Sequence, residues 1–120
     1  MKKFVYGQVS DYPEYRGWIT GNFFPETTVN HDKNIEIKVD HFTESTSFTK
    51  HYHSQRKTWM IVLQGAMHLR IDDQPIVLKA GEFVIMEPGV TEEMSHTDPG
   101  TIAVSIHTPS VPGTDKVDAS

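Results

Sequence analysis

The sequence predicts one all-β domain, a sandwich or barrel of short strands, on three observations. β-Branched and aromatic residues gather in segments of five to eight, separated by Gly, Pro, Asp and Asn. Within most segments apolar and polar residues alternate, the period of a strand with unlike faces. No stretch reads as a long amphipathic helix.

Along the chain, the first 30 residues hold Phe4, Tyr6, Tyr12, Tyr15, Trp18, Phe23 and Phe24 with weak periodicity. From Asn34 to Phe42, Ile35, Ile37 and Val39 share one face and Glu36, Lys38 and Asp40 the other. Trp59 to Leu63 is apolar on both faces. Met67, Leu69 and Ile71 alternate with His68 and Arg70 until Asp72-Asp73-Gln74-Pro75, a turn by composition, and Ile76 to Leu78 forms the return strand. Gly81 punctuates, Phe83 to Met86 follows, Pro88-Gly89 breaks again, and Ile102, Val104 and Ile106 mark the last alternating strand. From Pro109 the chain is polar and reads as a tail that frays or drapes over a neighbour. The expected organisation is therefore an aromatic segment (1–32) covering the barrel or a partner, a barrel (33–108) and a polar tail (109–120).

The 120 residues carry 11 Lys+Arg against 16 Asp+Glu, a formal net charge of −5. An acidic chain without a basic cluster does not suit nucleic acid or anionic lipid. The longest apolar run, Trp59 to Leu63, is five residues, against about 20 for a membrane helix. Lys2 and Lys3 precede no long apolar core, so no secretory signal is read and a cytoplasmic location is expected. With 0 cysteines there are no disulfides, thiolate metal sites or cysteine nucleophiles, which leaves His, carboxylate and hydroxyl chemistry.

His51-Tyr52-His53 places two imidazoles at i and i+2, on one face if the segment is a strand. Gly65 follows, then the hairpin, then Gly81, Glu87, Pro88 and Gly89. This order resembles the cupin family. Its first motif runs glycine, His-x-His, glutamate, glycine, and its second glycine, proline, glycine, histidine, asparagine. His51 and His53 match the paired histidines, Gly65 the closing glycine, and Gly81 and Gly89 the glycines of the second motif. Thr58 stands where the glutamate belongs, Glu87 replaces the proline, Glu92 stands at the third histidine and His96 at the asparagine. The match spans about residues 46 to 107.

The resemblance implies a double-stranded β-helix, a jelly-roll barrel, with a pocket holding a divalent metal. His51, His53 and Glu92 are the expected metal ligands and catalytic groups. Two imidazoles and a carboxylate suit Fe(II), Mn(II), Ni(II) or Zn(II); the alternative is a pocket that has lost its metal. Thr58, Met60, His96 and His107 are the expected pocket residues around them. His96 shares the parity of Glu92 and is expected inside, as a satisfied core histidine. His107 lies opposite Ile102, Val104 and Ile106, as pocket wall or solvent face. A one-residue bulge would exchange Glu92 for Glu93. His68 and Arg70 read as a solvated or interface face, and His31 and His41 as surface. Arg56 and Lys57 are candidate cations for a diphosphate, or a solvated turn.

The expected activity is isomerase- or epimerase-like chemistry on a small polar metabolite such as a sugar derivative, with a histidine as base and Glu92 as acid or orienting group. Oxygen activation at Fe(II) ranks lower. The alternatives are a non-catalytic module binding a small ligand without metal, and an interaction protein with a vestigial pocket. A homodimer is expected, because Thr58, Met60 and Val62 share the inward parity and leave Trp59, Ile61 and Leu63 outside.

Overall fold

The computed structural model describes residues 3–120 and consists of two five-stranded antiparallel sheets. The first two residues of the expected segment 1–32 lie outside the described residues. The strands are β1 (Trp18–Thr20), β2 (Glu36–Phe42), β3 (Phe48–His53), β4 (Lys57–Gln64), β5 (Ala66–Ile71), β6 (Gln74–Lys79), β7 (Phe83–Met86), β8 (Glu92–Thr97), β9 (Thr101–Thr108) and β10 (Lys116–Asp118). One sheet runs β1-β2-β9-β4-β7 and the other β10-β3-β8-β5-β6. This is the predicted all-β jelly roll. Among the described residues no helix is long and apolar enough to cross a membrane.

Local chemistry sets the register. Asp72 and Asp73 both have positive φ (47° and 66°), the geometry of a two-residue turn whose twist matches the β5–β6 hairpin. Gly65 has φ +79°, and a Cβ there would sit 2.3 Å from Thr101 Oγ1, so the β4–β5 crossing needs glycine twice over.

One end of the barrel is closed by Met60, Val62, Met67, Leu69, Ile71, Leu78, Met86, Met94 and Ala103. Burying each large side chain here is worth about 1.5–3 kcal/mol, and the four methionines adapt to gaps that branched side chains would leave. The other end is polar inside. On β2 the buried or half-buried inward residues are Glu36, Lys38, Asp40 and Phe42, and on β9 they are Thr101, Ala103, Ser105 and His107. Ile37, Val39, Ile102, Val104 and Ile106 therefore face outward, in register with Trp59, Ile61, Phe83 and Ile85.

Both ends of the chain add a strand to the sheets. β1 joins the first sheet ahead of residue 33 through pairing with β2. The tail does not fray: β10 pairs with β3, setting Lys116 opposite His53 and Asp118 opposite His51. Three side chains also depart from expectation. His31 is half-buried, its Nδ1 2.8 Å from the carbonyl of Phe24 in the loop that follows β1, and Tyr15 stacks on the Phe24 ring at 4.0 Å. Arg56 is buried and paired, so it is not a free cation for a diphosphate. His96 is exposed, because Ser95 is an extra residue between the His68–His96 and Leu69–Met94 pairs and reverses the parity that Glu92 set.

Candidate metal centre

His51, His53 and Glu92 converge inside the barrel. One ligating atom from each lies within 4.8 Å of the others. β3 projects both imidazoles to the same side, and β8 places Glu92 directly opposite His51. The bulge at Ser95 comes after Glu92, so Glu92 keeps its inward direction while Glu93 pairs outside with Arg70 at 3.7 Å.

The cavity they line has a volume of about 350 Å³, with Trp18, Lys38, Thr58, Met60 and His107 among its walls. His96 does not line it. A larger hollow of about 780 Å³ lies between the N-terminal arm and Thr27 to Asn30, away from these histidines.

Each imidazole is oriented by an acceptor behind it. His51 Nδ1 lies 2.8 Å from the Thr49 carbonyl, which can only accept, so Nδ1 carries the hydrogen. His53 Nδ1 donates to Asp115 Oδ1 at 3.2 Å. His107 Nδ1 donates to Glu36 Oε1 at 3.3 Å. All three rings thus hold Nδ1 occupied, the arrangement that fixes the tautomer of a ligating histidine and frees Nε2. His53 lies between the other two, with ring centroids 5.3 Å from each.

Sequence reasoning missed the groups behind the rings. Asp115 is 2% exposed and Glu36 1%. Arg56 lies 3.4 Å from each of them, donates its backbone N–H to Asp115, and bonds the Val111 carbonyl. Ser110 Oγ donates to Glu36 Oε2 at 2.9 Å. The one available signal was the alternation of β2, which puts Glu36 on a single face with Lys38 and Asp40.

The electrostatics differ between neighbours. Hydrogen bonding to Glu92 holds the His51 imidazole above its ordinary value, against the opposing effect of burial. Burial pushes His53 below its ordinary value, against the opposing effect of Asp115. Burial also raises Asp40, which Lys38 partly offsets at 3.2 Å.

The donor set fits a divalent cation. With Nδ1 donating to Thr49, the Nε2 of a neutral His51 would present a lone pair to Glu92 Oε1 at 3.1 Å. Two acceptors at that distance require a proton or a cation between them. Thr58 Oγ1, buried in the same wall, has no hydrogen-bond partner.

Fold and pocket define a small jelly-roll protein with a two-histidine, one-carboxylate group inside its barrel. Residues 39–107 match the family model of the cupin domain, and the chain belongs to the cupin family. Solved structures share the fold at low identity. A protein with a double-stranded β-helix domain from Klebsiella pneumoniae is 19% identical, with a TM-score of 0.63, over 92% of this chain and 89% of that one. KdgF from a Halomonas species is 15% identical, with a TM-score of 0.63, over 70% and 76%. Streptomyces PAC13 with uridine is 11% identical, with a TM-score of 0.55, over 74% and 81%. No curated protein matches the chain.

Proposed function

We propose that the barrel pocket binds a small polar metabolite, such as a sugar derivative, and moves a proton on it in isomerase- or epimerase-like chemistry. The convergence of His51, His53 and Glu92 in one cavity carries this reading. At about 350 Å³ the cavity holds roughly a dozen water volumes, room for one small ligand. Lys38, Asp40 and Ser105 give its walls donors and acceptors for hydroxyl groups, and Trp18 gives a flat apolar side. PAC13, described as a nucleoside dehydratase, supports small-molecule chemistry in a barrel of this shape.

The His51–Glu92 couple carries one proton between Nε2 and Oε1 and can deliver it to a ligand atom in the cavity. Thr49 keeps His51 in the tautomer that does this. Asp115 keeps His53 Nε2 turned inward, where it holds or accepts a ligand proton. Met60, Met67 and Met94, all buried, make the inner end of the cavity apolar. In place of the His51–Glu92 proton, His51, His53 and Glu92 would hold a divalent ion (Fe, Mn, Ni or Zn), which when bound would supply Lewis-acid polarisation of a ligand oxygen. Thr58 favours the second reading, a non-catalytic ligand-binding module, since it contributes no charge where the family pattern has a carboxylate.

The active form is proposed to be a homodimer paired through the first sheet. Its outer face is apolar across four strands, and Phe83 (67% exposed) and Leu63 (59%) lie on it without cover.

The test is deuterium uptake in heavy water with a panel of keto sugars and their nucleotide-linked forms, followed by NMR. Exchange at a carbon beside a carbonyl, lost in Glu92→Gln, supports the enzyme. Ligands that raise the melting temperature without exchange support the binding module. Metal content of untagged protein then separates the two versions of the site: one equivalent supports the ion-holding form.

A further inference from the structure

The second sheet carries another set of ligating side chains on its outer face, and we propose that His68, His96 and Asp98 form a divalent transition-metal site separate from the barrel pocket. Metal-competent atoms of these three residues lie within 4.8 Å of one another. The sequence kept them hidden, because His68 and His96 have opposite parity unless Ser95 is an extra residue in β8.

The two strands and the turn after β8 bring these residues together. His68 and His96 are direct cross-strand partners on β5 and β8, both interior strands of their sheet, so neighbouring strands pin the backbone on either side. Their rings stack with centroids 3.8 Å apart and an interplanar angle of 17°, so a shared ion requires one ring to turn out of the stack to aim its in-plane lone pair at it. Asp98 is anchored by its N–H to the Ala66 carbonyl at 3.1 Å, and its Oδ1 lies 3.0 Å from His68 Nε2. Ser95 Oγ, 3.0 Å from His96 Nδ1, occupies that nitrogen and leaves His96 Nε2 for a ligand. The inward neighbours on the same strands, Leu69 and Met94, are core residues, so the sheet itself separates this cluster from Glu92 and His51.

Two imidazoles and a carboxylate select Zn(II), Ni(II) or Cu(II) over Mg(II) or Ca(II), which prefer all-oxygen sites. Three protein ligands on an exposed face leave the remaining positions to water, as in an open rather than a closed structural site.

Calorimetric titration of the chelator-stripped full chain with ZnCl₂ tests this, run on the parent and on His68→Gln/His96→Gln and His51→Gln/His53→Gln. One equivalent survives in the inner-pair variant and vanishes in the outer-pair variant, and Asp98→Asn weakens it about tenfold or more. Because the inner pair is buried and its variant could unfold, ring resonances of the parent are followed by NMR as well. Zn(II) shifts those of His68 and His96. An outer-pair variant that titrates like the parent, or outer ring resonances unmoved at saturating Zn(II), overturns the site.

Discussion

Asp115 is the side chain on which the pocket's architecture leans hardest, and Asp115→Asn isolates its charge. The amide keeps the shape and one acceptor but removes the negative charge facing the Arg56 guanidinium (3.4 Å) and the His53 ring (3.2 Å). Breaking a buried ion pair outright costs about 3–5 kcal/mol. Here Glu36 remains 3.4 Å from Arg56, so the guanidinium keeps one partner. The lost contacts also sit at the long end of hydrogen-bond range. Roughly 2–3 kcal/mol is the expected loss, which at ~4 °C per kcal/mol for a domain of this size lowers the midpoint by about 8–12 °C. Thermal unfolding followed by far-UV circular dichroism reads this directly. The exposed Asp118→Asn serves as the control and stays within about 0.5 kcal/mol. A second readout addresses the site: freed from Asp115, His53 loses its fixed tautomer, and Zn(II) binding in the pocket weakens about 10–100-fold. An Asp115→Asn protein melting within about 2 °C of the parent, with unchanged Zn(II) titration, would refute the reasoning on both counts.

Light scattering of the parent should give twice the chain's 13.6 kDa, and Trp59→Glu should give the single mass or insoluble protein; a parent at 13.6 kDa removes the dimer. In the metal-free protein the two inner histidines act with opposite sign. His51, raised above its unfolded value of about 6.5, contributes stability that is present below that pH and lost as pH rises through its folded value. His53, lowered, contributes stability present above about 6.5 and lost as pH falls through its folded value. The stability gap between parent and His51→Gln should accordingly be wider at pH 5.5 than at pH 8.5, and a gap independent of pH contradicts the pairing with Glu92. Thr58→Val removes an unpartnered buried hydroxyl and should stabilise the ligand-free protein by about 1 kcal/mol in denaturant unfolding; a loss of that size shows that the hydroxyl has a partner.

The strands were readable because alternation has a period of two wherever the two faces of a sheet meet unlike surroundings. Alternation alone does not say which face is inside. On β2 and β9 the polar set lines the cavity and the apolar set faces out, the reverse of a sheet covering a greasy core. The histidine pair and Glu92 were legible because the glycine spacing fixed the loops between them. His96 was misread because Ser95 is a single unpaired residue, with nothing in its chemistry to distinguish it from any other strand serine. Asp115 and Glu36 were invisible for another reason. Each looks like an ordinary surface acid until the tail and the first long strand bring both against Arg56, and no local pattern encodes a contact between residues 56 and 115.

The pairing of β10 with β3 has a consequence for the order of events during synthesis. The hydrogen bond between His53 and Asp115 spans 62 positions, and the metal-competent set before it is otherwise complete by Glu92. At about 5–20 residues per second, Glu92 joins the chain a second or more before Asp115 does. Until then His53 lacks the acceptor that turns it inward, and Arg56 faces only Glu36. A nascent barrel would be unable to hold a ligand tightly, and a chain ended before Asp115 should stay in that condition permanently. The acceptor that orients His53 thus sits in the short turn that leads into β10.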